Sequence, residues 1–195
     1  MTQEDTTLIS QASSDPEAFG ALYDRYYPRV YNYLRYRLDD EAEVEDLTAQ
    51  VFTRLLAAIG RFSPERGLFE AWLFAMVRNT LTDHFRRQRW AALLPWEAMQ
   101  RRPAPEPAPE ETVIHQEWHA DLARALLCLS SRERDVLGLK FNTSLNNRQI
   151  ARLSGLSEQN VAVILFRAIR RLRQAMSLEL LGMDAETIGP EVRHE

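Results

Sequence analysis

Asn146-Asn147-Arg148-Gln149-Ile150-Ala151-Arg152-Leu153-Ser154-Gly155-Leu156-Ser157-Glu158-Gln159-Asn160-Val161 holds two helix starts and one turn. Asn146 can cap a helix with Gln149 at the third position while Leu145 staples against Ile150, and Ser157 can cap a second with Leu156 against Val161. Between them Gly155 suits a turn that needs positive φ. Ala151, Gly155 and Val161 stand at the spacing of a helix-turn-helix: a small residue where two helices touch, a turn glycine, and a β-branched anchor on the second helix. Ile150, Leu156, Ile164 and Leu165 supply a supporting core. A plain helical hairpin shares this spacing. What separates the two is Arg167, Arg170, Arg171 and Arg173, a basic face that continues the second helix and suits phosphates.

Upstream, Ser130-x-x-Glu133 is a capping box that opens a helix through Val136, Leu137 and Leu139. Val113 to Leu129 reads as a helix before it, with Cys128 as a small core residue. Downstream, Leu178, Leu180, Leu181 and Met183 suggest one last helical turn before an acidic stub. The first half is also helical in period. Asp15-Pro16 reads as an N-cap with proline at the first helical position, followed by Phe19, Leu22, Tyr23 and Tyr26. Pro28 is expected to restart the helix, with Val30, Tyr31, Leu34 and Leu38 as its stripe. Asp39-Asp40 closes that helix and caps the next, whose face is Val44, Leu47, Val51, Leu55 and Ile59 and whose end is placed at Gly60 as a left-handed cap. A loop from Phe62 to Gly67 precedes a helix from Leu68 to Trp90. Strand signals are nearly absent, so the expected class is all-α.

The chain has 195 residues, 45% apolar and 27% charged, with a net charge of -4 that conceals alternating blocks. Residues 1–60 sum to -6, 61–102 to +4, 103–121 to -5, 122–176 to +7 and 177–195 to -4. Two basic blocks set among acidic ones suggest two polyanion-binding surfaces. The stretch from Pro95 to Glu111, rich in proline and acid, reads as a tether between two small domains. In the first block arginines alternate with aromatics: Arg61-Phe62, Arg66, Phe69, Trp72, Arg78, Asn79, Arg86, Arg87 and Trp90. This interleaving suits unstacked bases of single-stranded DNA, although Phe69 and Trp72 at helical spacing also fit plain core. One cysteine excludes an internal disulfide. No apolar run is long enough for a bilayer span and no signal peptide is evident, so the expectation is a soluble, cytoplasmic chain without membrane insertion.

His115 and His119 stand at i, i+4, but Glu117 lies between them instead of directly after the first, and no third ligand is evident. Surface histidines are the reading preferred; His84 beside the basic cluster either touches phosphate or lies on a helix surface. With no nucleophilic triad, phosphate-binding glycine loop or paired carboxylates, neither an enzyme nor a metal or cofactor is expected.

Four runs, in order, carry a resemblance: Asp15-Pro16-Glu17-Ala18-Phe19 with Leu22-Tyr23 and Tyr27-Pro28; Val44-Glu45-Asp46-Leu47 with Val51-Phe52; Ala71-Trp72-Leu73-Phe74 with Arg78-Asn79; and the helix-turn-helix ending Arg167-Ala168 and Leu172-Arg173. Together they resemble bacterial extracytoplasmic-function sigma factors of the sigma-70 family. The resemblance implies region two over 1–92, a linker over 93–112, region four over 113–176 and a tail over 177–195. It also implies partners: core RNA polymerase through its clamp helices and flap, promoter DNA, and an anti-sigma factor as a further candidate.

Residue by residue, Glu45, Asp46, Gln50 and Phe52 match the docking face for the clamp helices, expected as carboxylates beside an aromatic on one exposed helical face. The Phe62 to Phe69 loop, flanked by Arg61 and containing Arg66, resembles the one that captures a flipped minus-ten base, while Trp72, Arg78, Asn79, Arg86 and Arg87 continue toward the displaced strand. Glu158, Gln159, Asn160 and Val163 match the positions that read the minus-thirty-five element, with Arg167, Arg170 and Arg171 on phosphates. Two departures stand out: Ala49-Gln50 where the family has Gln-Glu, and Ala162-Val163-Ile164 where it has Lys-Ser-Arg. The alternative is a stand-alone helix-turn-helix regulator whose first half is a sensor or dimerisation domain.

Overall fold

The computed structural model describes residues 3–93 and 124–180. Helices α1 (Gln3–Gln11), α2 (Pro16–Arg35), α3 (Glu41–Ala58) and α4 (Phe69–Leu93) form the first unit, and α5 (Ser131–Asn142), α6 (Asn147–Ser154) and α7 (Glu158–Leu180) the second. Residues 124–127 are helical ahead of α5, and no strand occurs among the described residues. The linker, His115, His119 and most of the expected helix over 113–129 lie outside the described residues.

Local capping rules account for most helix starts. Asp15 accepts from the Glu17 N–H with Pro16 in the first turn, and Asp40 accepts from the N–H groups of Ala42 and Glu43. Both predicted capping boxes are formed, Ser130 with Glu133 and Asn146 with Gln149. Ser157 accepts from the Asn160 N–H at 3.2 Å. Ala151 is buried where the two helices meet, and Gly155 adopts φ 70°, the left-handed turn that its side-chain-free backbone permits.

The structure corrects four local expectations. Pro28 does not restart a helix but lies inside the continuous α2. It sits on the solvent face, while the buried stripe Leu22, Tyr26, Val30, Tyr33 and Leu34 keeps one helical register across it. Gly60 is not a left-handed cap: burial of Ile59 tightens the end of α3 into a 3₁₀ turn over Ile59–Arg61, and the glycine of this stretch with positive φ is Gly67, φ 143° with extended ψ, after a second 3₁₀ turn over Pro64–Arg66. Cys128 is exposed, because the turn directs Leu126 and Leu129 inward instead. The first polar residues join α1, an element the sequence reading omitted, which rests Ile9 on the core beside α2, with Ala12 buried just past its end.

The two units touch directly. α5 lies along α2, and α6 meets α4. Gly138 in the middle of α5 makes the close approach: a Cβ there would come within 2.9 Å of the Tyr33 ring, which is itself fully buried.

Candidate functional site

The acidic face is built on α3. Val44, Leu47, Val51 and Leu55 turn inward, which leaves Glu45 and Asp46 exposed; Gln50 donates to Asp46 Oδ2 at 2.9 Å. Phe52, expected on the exposed face, is 96% buried, its ring 4.5 Å from Tyr23 and 6.2 Å from Tyr27. The aromatic that reaches solvent over Phe52 is Tyr23, with Leu56 one turn beyond Phe52 on α3. Sequence reading missed both, since Tyr23 comes from another helix. Tyr31 donates to Glu41 at 3.0 Å, and burial, reinforced by that carboxylate, pushes its phenol up to about 12.

The aromatic and basic elements of the first unit divide between core and surface. Phe69 is fully buried against Tyr26, Phe62 and Trp72, so it shapes the loop from below and does not face bases. Phe62 and Trp72, 5.3 Å apart, are half-buried and rim the loop between exposed Arg61 and Arg66. Behind this rim a cavity is lined by Ile9, Ser10 and Ser13 with Ile59, Gly60, Phe62 and Pro64. Asn79, Arg86 and Arg87 are exposed along α4, Arg86 pairing with Asp83 at 3.0 Å. His84 packs inward beside Glu43, 3.4 Å away.

Arg78 is turned toward the second unit. Its Nε and Nη2 donate to Asp135 at 3.3 and 3.0 Å, and its Nη1 donates to the Leu153 carbonyl. Burial alone would lower its pKa, but the Asp135 charge and hydrogen bond, with Tyr33, hold it above the ordinary value. Asp135 also accepts from Tyr33 at 2.6 Å and pairs with Arg37 at 3.1 Å. Burial, then the Asp135 charge, pushes the Tyr33 phenol far above its ordinary range.

On the second unit Val161, Leu165 and Ala168 anchor α7. Glu158, Gln159, Asn160, Val163, Arg167, Arg170 and Arg171 are all exposed, as expected of a helix presented to a groove. Helical spacing aligns Gln159, Val163, Phe166 and Arg170 on one face. Phe166, 69% exposed, was not among the expected residues. Arg171 pairs with Glu133 of the α5 capping box at 2.9 Å, which braces α7 against α5. Burial would raise the Glu133 pKa, but the Ser130 N–H and hydroxyl and the Arg171 charge together hold it below the ordinary value.

Comparison with known proteins settles the family. The sigma-70 region 2 model matches residues 22–91 and the sigma-70 region 4 model residues 125–174, which together span more than half of the chain. The chain belongs to the extracytoplasmic-function (ECF) sigma factors of RNA polymerase. It is 32% identical over 170 residues to the ECF RNA polymerase sigma factor BldN of Streptomyces coelicolor, covering 87% of this chain and 64% of BldN. With SigX of Bacillus subtilis the identity is 28% over 184 residues, 92% of each chain. The fold of this sigma factor is similar to RpoE of Bartonella quintana, solved with the anti-sigma factor NepR, at TM-score 0.64 and 20% identity over 82% of this chain and 97% of that one. A region 2 match across the first unit leaves the sensor-domain alternative without support. Among the described residues no helix is long and apolar enough to cross a membrane.

Proposed function

We propose that this ECF sigma factor directs core polymerase to its promoters through a division of labour between its two units. Residues 1–92 act as region two, 113–176 as region four, and 93–112 as the tether; the tail 177–195 follows. In this reading Glu45, Asp46 and Gln50 with Tyr23 receive the clamp helices, and Phe52 supports Tyr23 from beneath. Phe62, Trp72, Arg61 and Arg66 take the flipped minus-ten base, with Phe69 as their floor. Asn79, Arg86, Arg87 and Arg78 follow the displaced strand. Gln159, Asn160 and Val163 reach major-groove edges near Glu158, while Arg167, Arg170 and Arg171 hold phosphates. Region four also meets the polymerase flap, an anti-sigma factor is a candidate regulator, and the work is cytoplasmic and non-catalytic.

One observation carries this reading: the exposed α7 face after the left-handed Gly155 turn lies on the same chain as an acidic face on α3 and an aromatic, arginine-rimmed loop. A regulator needs only the first of these. The test is transcription from genomic promoter fragments by purified core polymerase with this chain alone. Promoter-dependent transcripts are expected. Their absence, with promoter-specific binding by the isolated chain at physiological salt, would overturn the proposal in favour of a regulator.

A further inference from the structure

The start of α7 is short of positive charge. Between Glu158 and Phe166 it carries no cation, and the first one, Arg167, lies more than two turns along the helix. The single charge on that stretch is the Glu158 carboxylate. A carboxylate at the leading end of a helix that enters a groove walled by phosphates is repelled unless a cation accompanies it.

The accompanying cation comes from another helix. Arg148, in the first turn of α6, reaches across to α7 and donates from Nε to Glu158 Oε2 at 3.3 Å. Neither helix needs the pair for its own stability. The two side chains are 72% and 54% exposed, where an ion pair adds little, and a cation in the first turn opposes the helix dipole of α6. The scaffold that sets their separation is nevertheless fixed, by the Asn146 and Gln149 capping box around Arg148, the left-handed Gly155 turn, and the Ser157 cap next to Glu158. The bond uses one guanidinium nitrogen and one carboxylate oxygen. Both Nη groups of Arg148 and Oε1 of Glu158 therefore keep capacity for a second partner.

We propose that Arg148 is a positioning residue for readout of the minus-thirty-five element: it holds the Glu158 carboxylate forward as acceptor for a cytosine amino group, while its Nη groups take the neighbouring phosphate. Cytosine is the base whose major-groove edge offers a donor, N4–H, and no acceptor. Adenine sets its donor beside the N7 acceptor, which a carboxylate has no hydrogen to satisfy, and guanine and thymine present acceptors that repel it. The inference rests on the sigma-factor reading above, in which α7 enters the groove.

The test uses the full chain assembled with core polymerase. Linear duplexes carrying a randomised upstream stretch are retained on this holoenzyme, and the retained sequences are read. Wild type should favour cytosine at one position by about fivefold over the other bases. In Glu158→Gln that preference should disappear at that position alone, because an amide both donates and accepts and so tolerates the other bases. Arg148→Ala should lower the same preference to about twofold or less and leave the remaining positions unchanged. It should also reduce the slope of log affinity against log salt by about 0.9, the loss of one phosphate contact. In the Glu158→Gln background, Arg148→Ala should change only the slope, since the carboxylate it positions is gone. Melting temperatures should match wild type, both side chains being exposed.

The proposal is overturned if no cytosine preference depends on Glu158, or if Arg148→Ala leaves that preference intact. It is equally overturned if Arg148→Ala still shifts base preference in the Glu158→Gln background, or blurs every position alike with a lowered melting temperature, as a structural role would. Failure of the sigma-factor reading is seen separately, as a wild-type chain that does not assemble with core or, once assembled, enriches no sequence, and it takes this inference with it.

Discussion

Asp46 and Phe52 lie on one helix but answer to different physics. Asp46 is exposed and accepts a hydrogen bond from Gln50, so Asp46→Arg should abolish co-purification with core polymerase while changing folding free energy by no more than about 0.5 kcal/mol. Retained co-purification would place the docking face elsewhere. Phe52→Ala should instead cost about 3 to 5 kcal/mol in denaturant melts, because it empties the space beneath Tyr23 and Tyr27. Asn79 and Arg167, both exposed, separate the two DNA roles. Asn79→Ala holoenzyme should bind promoter duplex but show reduced permanganate reactivity of the melted strand, rescued by a pre-opened template. Arg167→Ala should weaken duplex binding and spare single-strand capture; equal loss in both assays from both variants would refute the division. The α7 positions were legible in sequence because each points outward from a helix whose buried anchors fix the register. Arg78 was not, since its partner Asp135 is 57 residues away.

At the scale of elements, helix starts were readable because a cap is a contact between residues two or three apart. Ends were less so. The tightened turn at Ile59 and the unbroken helix through Pro28 follow from burial against other helices, which overrides the local preferences of glycine and proline. The α5 capping box offers a pH test. Glu133 is held below its ordinary pKa when folded, so its contribution is fully present above about 4.5 and is lost as pH falls through the depressed value. Wild type should therefore lose melting temperature on acidification below pH 4.5 more steeply than Glu133→Gln, which starts lower at neutral pH. Parallel curves would show that the Ser130 and Arg171 contacts do not stabilise the ionised form. Gly155→Ala tests the turn itself: at φ 70° a Cβ should cost roughly 1 to 2 kcal/mol, measured by chemical denaturation.

Over the whole molecule, acidic blocks offset basic ones and each unit offers few phosphate contacts. Duplex affinity of the free chain should be weaker than about micromolar at physiological salt and fall steeply as salt rises, a dependence fluorescence anisotropy would measure. Tight, salt-insensitive binding would contradict it. Two all-α units were visible in sequence through periodicity and the proline-rich stretch between them; their mutual packing was not, because no local pattern announces that a carboxylate on one unit serves three donors on another. That sharing has an evolutionary consequence. Asp135 is costly to lose alone, since its loss leaves the Tyr33 phenol and two guanidinium groups without the carboxylate they share. Positions 33, 37, 78 and 135 are therefore expected to drift as a set among descendants of this sequence, and a lineage that replaces the carboxylate should be found to have changed Tyr33 or Arg37 as well, while Arg78 stays for as long as DNA needs it.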